Sequence, residues 1–432
     1  MKTNKMKTNK MKTKNVLIAL LLMLGATTFF TSCSKEDTPD PIDVPVENTP
    51  DASFPTLTVS GNIATNTIWT KDRIIVLDGR VIVEPGKELT IQAGTVIKAK
   101  PGSDASASAL IIGVGAKIHA TGTIAEPIIF TSTDDQILPG QITSPNLTIA
   151  NKGLWGGVII LGNAPISPSS GTTAEIEGIP AGTVGTTYGG PDAADNSGEL
   201  QYVSIRHSGV IIGANNEING LTLGGVGSGT TIDHIEIYGN LDDGIEFFGG
   251  SVNVSHAIVV KIDDDCYDID QAYSGTITNV MAIIGENQDG DAFEIDGPEG
   301  SANNSGVFTV NKAYVVGNTS NDAKYAVFKS NAQGTFQNTY FTNFMSGATL
   351  AVNGSTPYAN YLGTGAYPLT ISNNTFNIAS LTGVFSSDQS GYDATNFLNN
   401  NTVNTGLTNG FDPSQFVGWT LAGRTGLSRT SN

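Results

Sequence analysis

The chain has 432 residues, of which 51 are Gly and only 14% are charged, and few segments outside the N-terminus carry helical periodicity. That composition fits an all-β secreted protein with one long core better than several compact domains. The formal charge is −18, and residues 1–32 hold six lysines and no acid, so the chain beyond them stands near −24, a field that disfavours nucleic acid and anionic lipid headgroups as partners.

The N-terminus reads MKTNKMKTNKMKTKN, then an apolar stretch from Val16 to Phe30, then Thr31-Ser32-Cys33. A basic region, a short apolar region and small residues form an export signal, and the apolar part is too short to span a bilayer. Phe30-Thr31-Ser32-Cys33 resembles a bacterial lipobox, which implies cleavage before Cys33 and lipid on its thiol. The SKED that follows resembles the signal that sends lipoproteins of Bacteroidetes to the outer face, so the expected location is the outer membrane, lipid-anchored and facing the exterior. Residues 33–55, rich in Pro, Asp and Thr without apolar periodicity, read as a tether. With Cys33 lipidated, Cys266 has no disulfide partner, and it reads as a small residue in a column with Gly244 and Ala292.

From Leu57 onward Val and Ile alternate in short runs with Gly at the corners, Gly86, Gly94 and Gly113 among them. Two stretches rich in Ser, Thr, Pro and Gly, near 133–152 and 167–197, interrupt the pattern and read as loops inserted between coils. Insertions of this kind line a binding face where there is one. Regular coils then run from Gly198 to about Asn343, and the looser text of 344–432 reads as irregular coils and a cap.

The most specific signal is an acidic motif that recurs three times, as DGIEFF from Asp243, DCYDID from Asp265 and DAFEID from Asp291, in steps of 22 and 26 residues. Apolar runs such as IDHIEIYG, VSHAIVVK, ITNVMAIIG and VNKAYVVG share the spacing. A period of that size, with about three short strands per turn, is the coil of a parallel β-helix, an all-β solenoid expected over 56–343 and, by the usual preference, right-handed. Equivalent residues then stack about 4.8 Å apart. Ile245, Phe247, Tyr267, Ile269, Phe293 and Ile295 are expected inside; Glu246, Asp268 and Glu294 form one outward column, and Phe248, Asp270 and Asp296 the next.

Unit charges at that spacing repel by about 1 kcal/mol in water and about 3 to 4 at an effective dielectric of 20. A patch of Asp243, Glu246, Asp265, Asp268, Asp270, Asp291, Glu294 and Asp296 therefore asks for a counterion, and calcium, which takes six to eight oxygens, is the expected cofactor. The competing reading is a solvated face with Asp as turn former. A second polar column is expected from Ser204, His234, His256, Asn279 and Asn311, continued by Asn338 and Asn374, which makes His234 and His256 structural. His207 falls outside it, beside Arg206.

The coil pattern resembles the pectin-lyase-like β-helix superfamily over roughly 56–432. That resemblance implies two enzymatic possibilities. A calcium-dependent polysaccharide lyase would use an Arg or Lys as base, for which Arg206, Lys261 and Lys324 are candidates, Lys261 being followed by three aspartates that would keep its pKa high. A glycoside hydrolase would use paired carboxylates; Asp242-Asp243 and Asp264-Asp265 resemble those of polygalacturonases, but the GHG and RIK partner motifs are absent. Segments such as LWGGVIILGNAPI, DNSGELQYVSIRHSG and DDDCYDIDQAYSG resemble secreted β-helix proteins and lipoproteins of Bacteroidetes and marine bacteria, a set without assigned activity. The leading expectation is a surface lipoprotein that binds polysaccharide or another cell-surface ligand, with Phe248 and Tyr273 available to stack on sugar rings. The alternatives are the two enzymes and a structural or adhesive envelope protein.

Overall fold

The structure, a computed structural model, describes residues 54–426 apart from 177, 178, 180, 181, 214, 215, 301 and 302. The export signal, Cys33 and the tether up to residue 53 lie outside the described residues.

The chain winds as a parallel β-helix. Strands from Thr56–Ile63 to Thr402–Val403 join one continuous sheet in which each strand pairs in parallel with a strand one coil further on. The steps read from the acidic motif are those of the ladder: Ile245 pairs with Tyr267, and Tyr267 with Phe293. Strand alternation puts Ile245, Phe247, Tyr267, Ile269, Phe293 and Ile295 inside, all essentially inaccessible to water. Like stacks on like along the axis, as where the Tyr267 and Phe293 rings lie 5.2 Å apart at 19°. Cys266 shares the interior with Gly244 and Ala292. Gly244 has no room for a side chain, because a Cβ there would lie 2.4 Å from Val259 Cγ1.

A second register is fixed at one corner of the coils. Tyr202, His234, His256, Asn279, Lys312, Asn338 and Asn373 all have φ between 51° and 60°, the left-handed region that Asn and His tolerate better than most residues. This corrects the expected polar column. Ser204 lies two residues past the corner and pairs with Glu236, Asn311 is one residue before it and pairs with Thr278, and Asn374 is one residue beyond. Apolar alternation does not mark which residue takes the left-handed corner, so a slip of one or two positions leaves no trace in the sequence. Asn374 belongs to another ladder: it accepts from Thr339 N at 2.9 Å, while Asn401 Oδ1 accepts from Asn374 N at 3.0 Å.

Parallel pairing continues beyond Asn343, through Leu350–Val352, Leu369–Ser372 and Thr375–Phe376. The helix Thr395–Asn400 sets buried Phe397 against Phe376 and Phe385 at the last coils. The remaining segment turns back along the flank. Phe411 stacks on Tyr314 at 5.3 Å, Asp412 N donates to Asn279 Oδ1 at 2.7 Å, and Trp419 packs edge-on to Tyr202 at 5.6 Å. The strap covers an apolar stripe that includes Tyr238, Ile258, Val260, Met281, Ile283 and Tyr340. Strands such as Ile258–Val260 and Met281–Ile283 are consequently buried on both faces, which is why they read as unbroken apolar runs.

Candidate functional site

The insertion between the strands Val158–Leu161 and Gly198–Arg206 forms one wall of a groove of about 600 Å³. Its antiparallel pair, Ala174–Glu175 with Thr187–Tyr188, overhangs the acidic strands. Two backbone bonds fasten its start: Ser167 N donates to Gln271 O, and Glu299 N donates to Ser167 O, both at 3.0 Å. The opposite wall is made by Asp242, Asp243, Glu246, Phe248, Asp264 and Asp270. The insertion near 133–152 lies elsewhere, where the Ile142 carbonyl accepts from Arg206 Nη1 at 2.6 Å and Lys152 Nζ pairs with Asp263 at 2.5 Å.

The two acidic columns stack in the expected register, Glu246 beside Asp268 beside Glu294, and Phe248 beside Asp270. They do not form a solvated face. Asp268 is 8% exposed, and Glu246, although open to the groove, is otherwise surrounded by protein. Burial, then the charges of neighbouring carboxylates, pushes Glu246 and Asp268 well above the usual carboxylate range. The same causes, with burial first, push Asp270 up to about 7 and Asp296 up to about 6.

The first aspartate of each motif has a structural task that the sequence did not disclose. Asp243 Oδ1 accepts from Asp265 N at 2.9 Å, Asp265 Oδ1 from Asp291 N at 2.5 Å, and Asp291 Oδ1 from Lys324 N at 2.5 Å. Each carboxylate thus caps the backbone of the next coil. The recurrence of Asp at the 22- and 26-residue steps was the available signal, and only the register identifies the N–H it meets.

Lysines divide the remaining acids. Glu294 pairs with Lys329 at 2.7 Å, a lysine whose charge also acts on Asp296, and Asp291 pairs with Lys324 at 3.2 Å. No Lys or Arg makes an ion pair with Asp243, Glu246 or Asp268 among the described residues. One carboxylate oxygen from each of these three lies within 4.8 Å of the others, and a second such set joins Asp242, Asp243 and Asp264. Glu246 accepts from the Asn219 amide, whereas Asp268 Oδ1 is buried without any hydrogen-bond partner.

Of the basic candidates, Lys324 pairs with Asp291, while among the described residues Arg206 and Lys261 make no ion pair with Asp243, Glu246 or Asp268. Arg206 is fully buried, donating to Ser204 Oγ at 2.7 Å and lying 3.9 Å from Glu236. Lys261 is not in the groove wall, and Asp263, the first of the three aspartates that follow it, pairs with Lys152. His207 is buried with Nδ1 at 2.6 Å from the Asn151 carbonyl, and burial lowers its pKa. Tyr273, expected on the surface, is interior and donates to Val252 O at 2.6 Å. Phe248 does line the groove.

A continuous coil with an overhung acidic groove narrows the family, and a family model described as a pectate-lyase-like β-helix domain matches residues 61–420. The chain belongs to that family. Membership is consistent with a carbohydrate-related role for this β-helix protein and specifies no reaction or ligand. No curated protein and no solved structure is significantly similar to it. The functional reading therefore rests on the groove.

Proposed function

We propose that this β-helix protein is a lipoprotein, anchored through Cys33 in the outer membrane and facing the exterior, that binds carbohydrate in the acidic groove with calcium held by Asp243, Glu246 and Asp268. The observation that carries the reading is the set of three carboxylates from neighbouring coils, gathered within 4.8 Å with no Lys or Arg ion pair among the described residues and with Asp268 Oδ1 unsatisfied. Buried charges in that state are costly unless they are protonated or meet a cation. An all-oxygen donor set at flexible separations suits calcium. Bound there, calcium would offset two of the cluster's charges and offer open coordination positions to the carboxylates or hydroxyls of a sugar. Among the described residues the groove wall contains no Lys or Arg, so an acidic polysaccharide would depend on the metal for its attraction. Phe248 supplies an apolar ring at the same wall.

Calorimetric titration of the full chain in detergent with calcium, before and after addition of polygalacturonate, tests the proposal. Saturable calcium binding followed by calcium-dependent binding of the polymer is expected, with both lost in Glu246→Gln and Asp268→Asn. Absence of calcium binding, or binding unchanged in both variants, overturns it.

A hydrolytic reading of the same groove has one observation in its favour: Asp270 lines the wall with its carboxyl near neutrality, two residues from Asp268 on the same strand face. Glycoside hydrolysis uses a carboxyl held protonated near neutral pH as its acid, with a second carboxyl about 5–10 Å away across the scissile bond. Release of reducing ends from polysaccharide, abolished by Asp270→Asn, supports hydrolysis; calcium-dependent binding without cleavage supports the binding protein. A lyase is less well served, since none of its candidate bases Arg206, Lys261 and Lys324 lines the groove.

A further inference from the structure

At the left-handed corner of the coils, away from the groove, Asp233, His234 and His256 form a second cluster that the proposed function does not use. His234 Nδ1 lies 2.7 Å from Asp233 Oδ2, and His256 Nδ1 lies 2.6 Å from Asp233 Oδ1, which also accepts from Ser255 Oγ at 2.5 Å. The two imidazoles come from consecutive coils and their rings sit 4.5 Å apart. His234 is held on its other face by Tyr202, with ring centroids 4.2 Å apart at 21°, and at its edge by Trp419 of the strap.

The protonation of His234 is set from outside the cluster. Its Nε2 lies 3.2 Å from Gln415 Oε1, and the Gln415 amide cannot turn over, because its Nε2 donates to Asp412 Oδ2 at 2.8 Å. An oxygen facing Nε2 requires the proton to be there. In the neutral ring Nδ1 then carries a lone pair aimed at a carboxylate oxygen, an arrangement that needs a positive charge between them. That charge is either a second proton or a metal ion. An outer partner that fixes the imidazole tautomer and frees the inner nitrogen is the usual companion of a metal-bound histidine.

We propose that Asp233, His234 and His256 bind a divalent transition metal of the zinc class through the two Nδ1 atoms and one carboxylate oxygen. Two imidazoles and one carboxylate select zinc, nickel or copper over calcium. Donor atoms of a tetrahedral zinc site lie about 3.3 Å apart when the bonds are near 2.0 Å, so the present spacings open by several tenths of an ångström on binding. His256 and Asp233, with side chains 28% and 25% exposed, can make that adjustment and leave water access to the remaining position. The ion would clamp two adjacent coils and, through Gln415 and Trp419, the strap.

The test uses the full chain without a polyhistidine tag, stripped with chelator and titrated with zinc chloride and nickel chloride by calorimetry and thermal melting at pH 7.5. One ion per chain is expected, with a raised melting temperature, little competition from excess calcium and weaker binding at pH 5.5, since metal binding to imidazole competes with protons. His256→Asn should weaken binding at least tenfold and still fold, since Asn279 fills the same corner one coil later with φ 51°. His119→Asn, a histidine held between Glu88 and Glu199, should bind as the parent does. No saturable binding, binding unchanged in His256→Asn, or equal loss in His119→Asn overturns the site and leaves His234 as a side chain hydrogen-bonded to Asp233.

Discussion

Asp265 Oδ1 accepts the backbone N–H of Asp291, its equivalent one coil later, at 2.5 Å, and this single contact joins two demands on the motif. The carboxylate caps a buried N–H, yet it stands among like charges and burial pushes it up to about 8. Asp265→Ala leaves the N–H of Asp291 unsatisfied, a loss of about 1–3 kcal/mol, whereas Asp265→Asn keeps an acceptor and removes the charge. At pH 8 without calcium the Asn variant should melt at or above the parent and the Ala variant below both. Equal melting of the two variants would mean that the ladder contributes nothing.

The pH dependence has an unusual direction. Unfolded carboxylates titrate near pH 4, while Asp270, Asp265 and Asp296 in the fold are pushed up to about 7, 8 and 6. The folded state therefore holds protons that the unfolded chain releases, and their contribution to stability is complete below about pH 4 and disappears as pH rises to about 8. In chelator the melting temperature should fall between pH 5 and 8. Calcium should flatten that fall by replacing the protons. A melting temperature that rises over this range in chelator would show that the carboxylates are not desolvated as described.

The coil period, the inward residues and the acidic register were legible because side-chain alternation and a recurring motif report directly on a repeating backbone. What escaped the sequence depends on chain segments far apart. Nothing in IEIYG announces that Glu236 is fully buried against residues 421 and 422, and nothing near Tyr273 distinguishes an interior ring from a surface one. The sequence left a counterion site and a solvated face both open for the carboxylates of the groove, because the cover over them comes from the insertion before Gly198. The unbroken apolar runs at Ile258 and Met281 were a signal of two-sided burial, but they do not say which segment does the covering.

Cys266 is fully buried beneath the acidic motif, and burial, aided by nearby carboxylates, raises its thiol pKa. A thiolate is the reactive form. Peptide mapping after treatment with a thiol reagent should find Cys266 unmodified in the folded protein and fully modified in denaturant. Modification under native conditions would require the coils to open at this rung.

Glu236 fastens the strap. Its two carboxylate oxygens accept from Leu421 N at 2.9 Å and Ala422 N at 2.8 Å, Ser204 Oγ donates to it at 2.5 Å, and the buried guanidinium of Arg206 lies beside it. Glu236→Ala removes the acceptor of two backbone donors and strands Arg206 without its counter-charge, a combination worth about 3–5 kcal/mol. Much of that loss should appear locally, because residues 411–426 can leave the flank while the coils remain paired. Hydrogen exchange should show faster exchange across 411–426 in Glu236→Ala, together with new protease cleavage there and little change in the strands Tyr267–Asp270 and Phe293–Ile295. Glu236→Gln, which retains one acceptor oxygen, should lie between. Exchange that accelerates uniformly along the solenoid would instead make the strap part of a single cooperative unit.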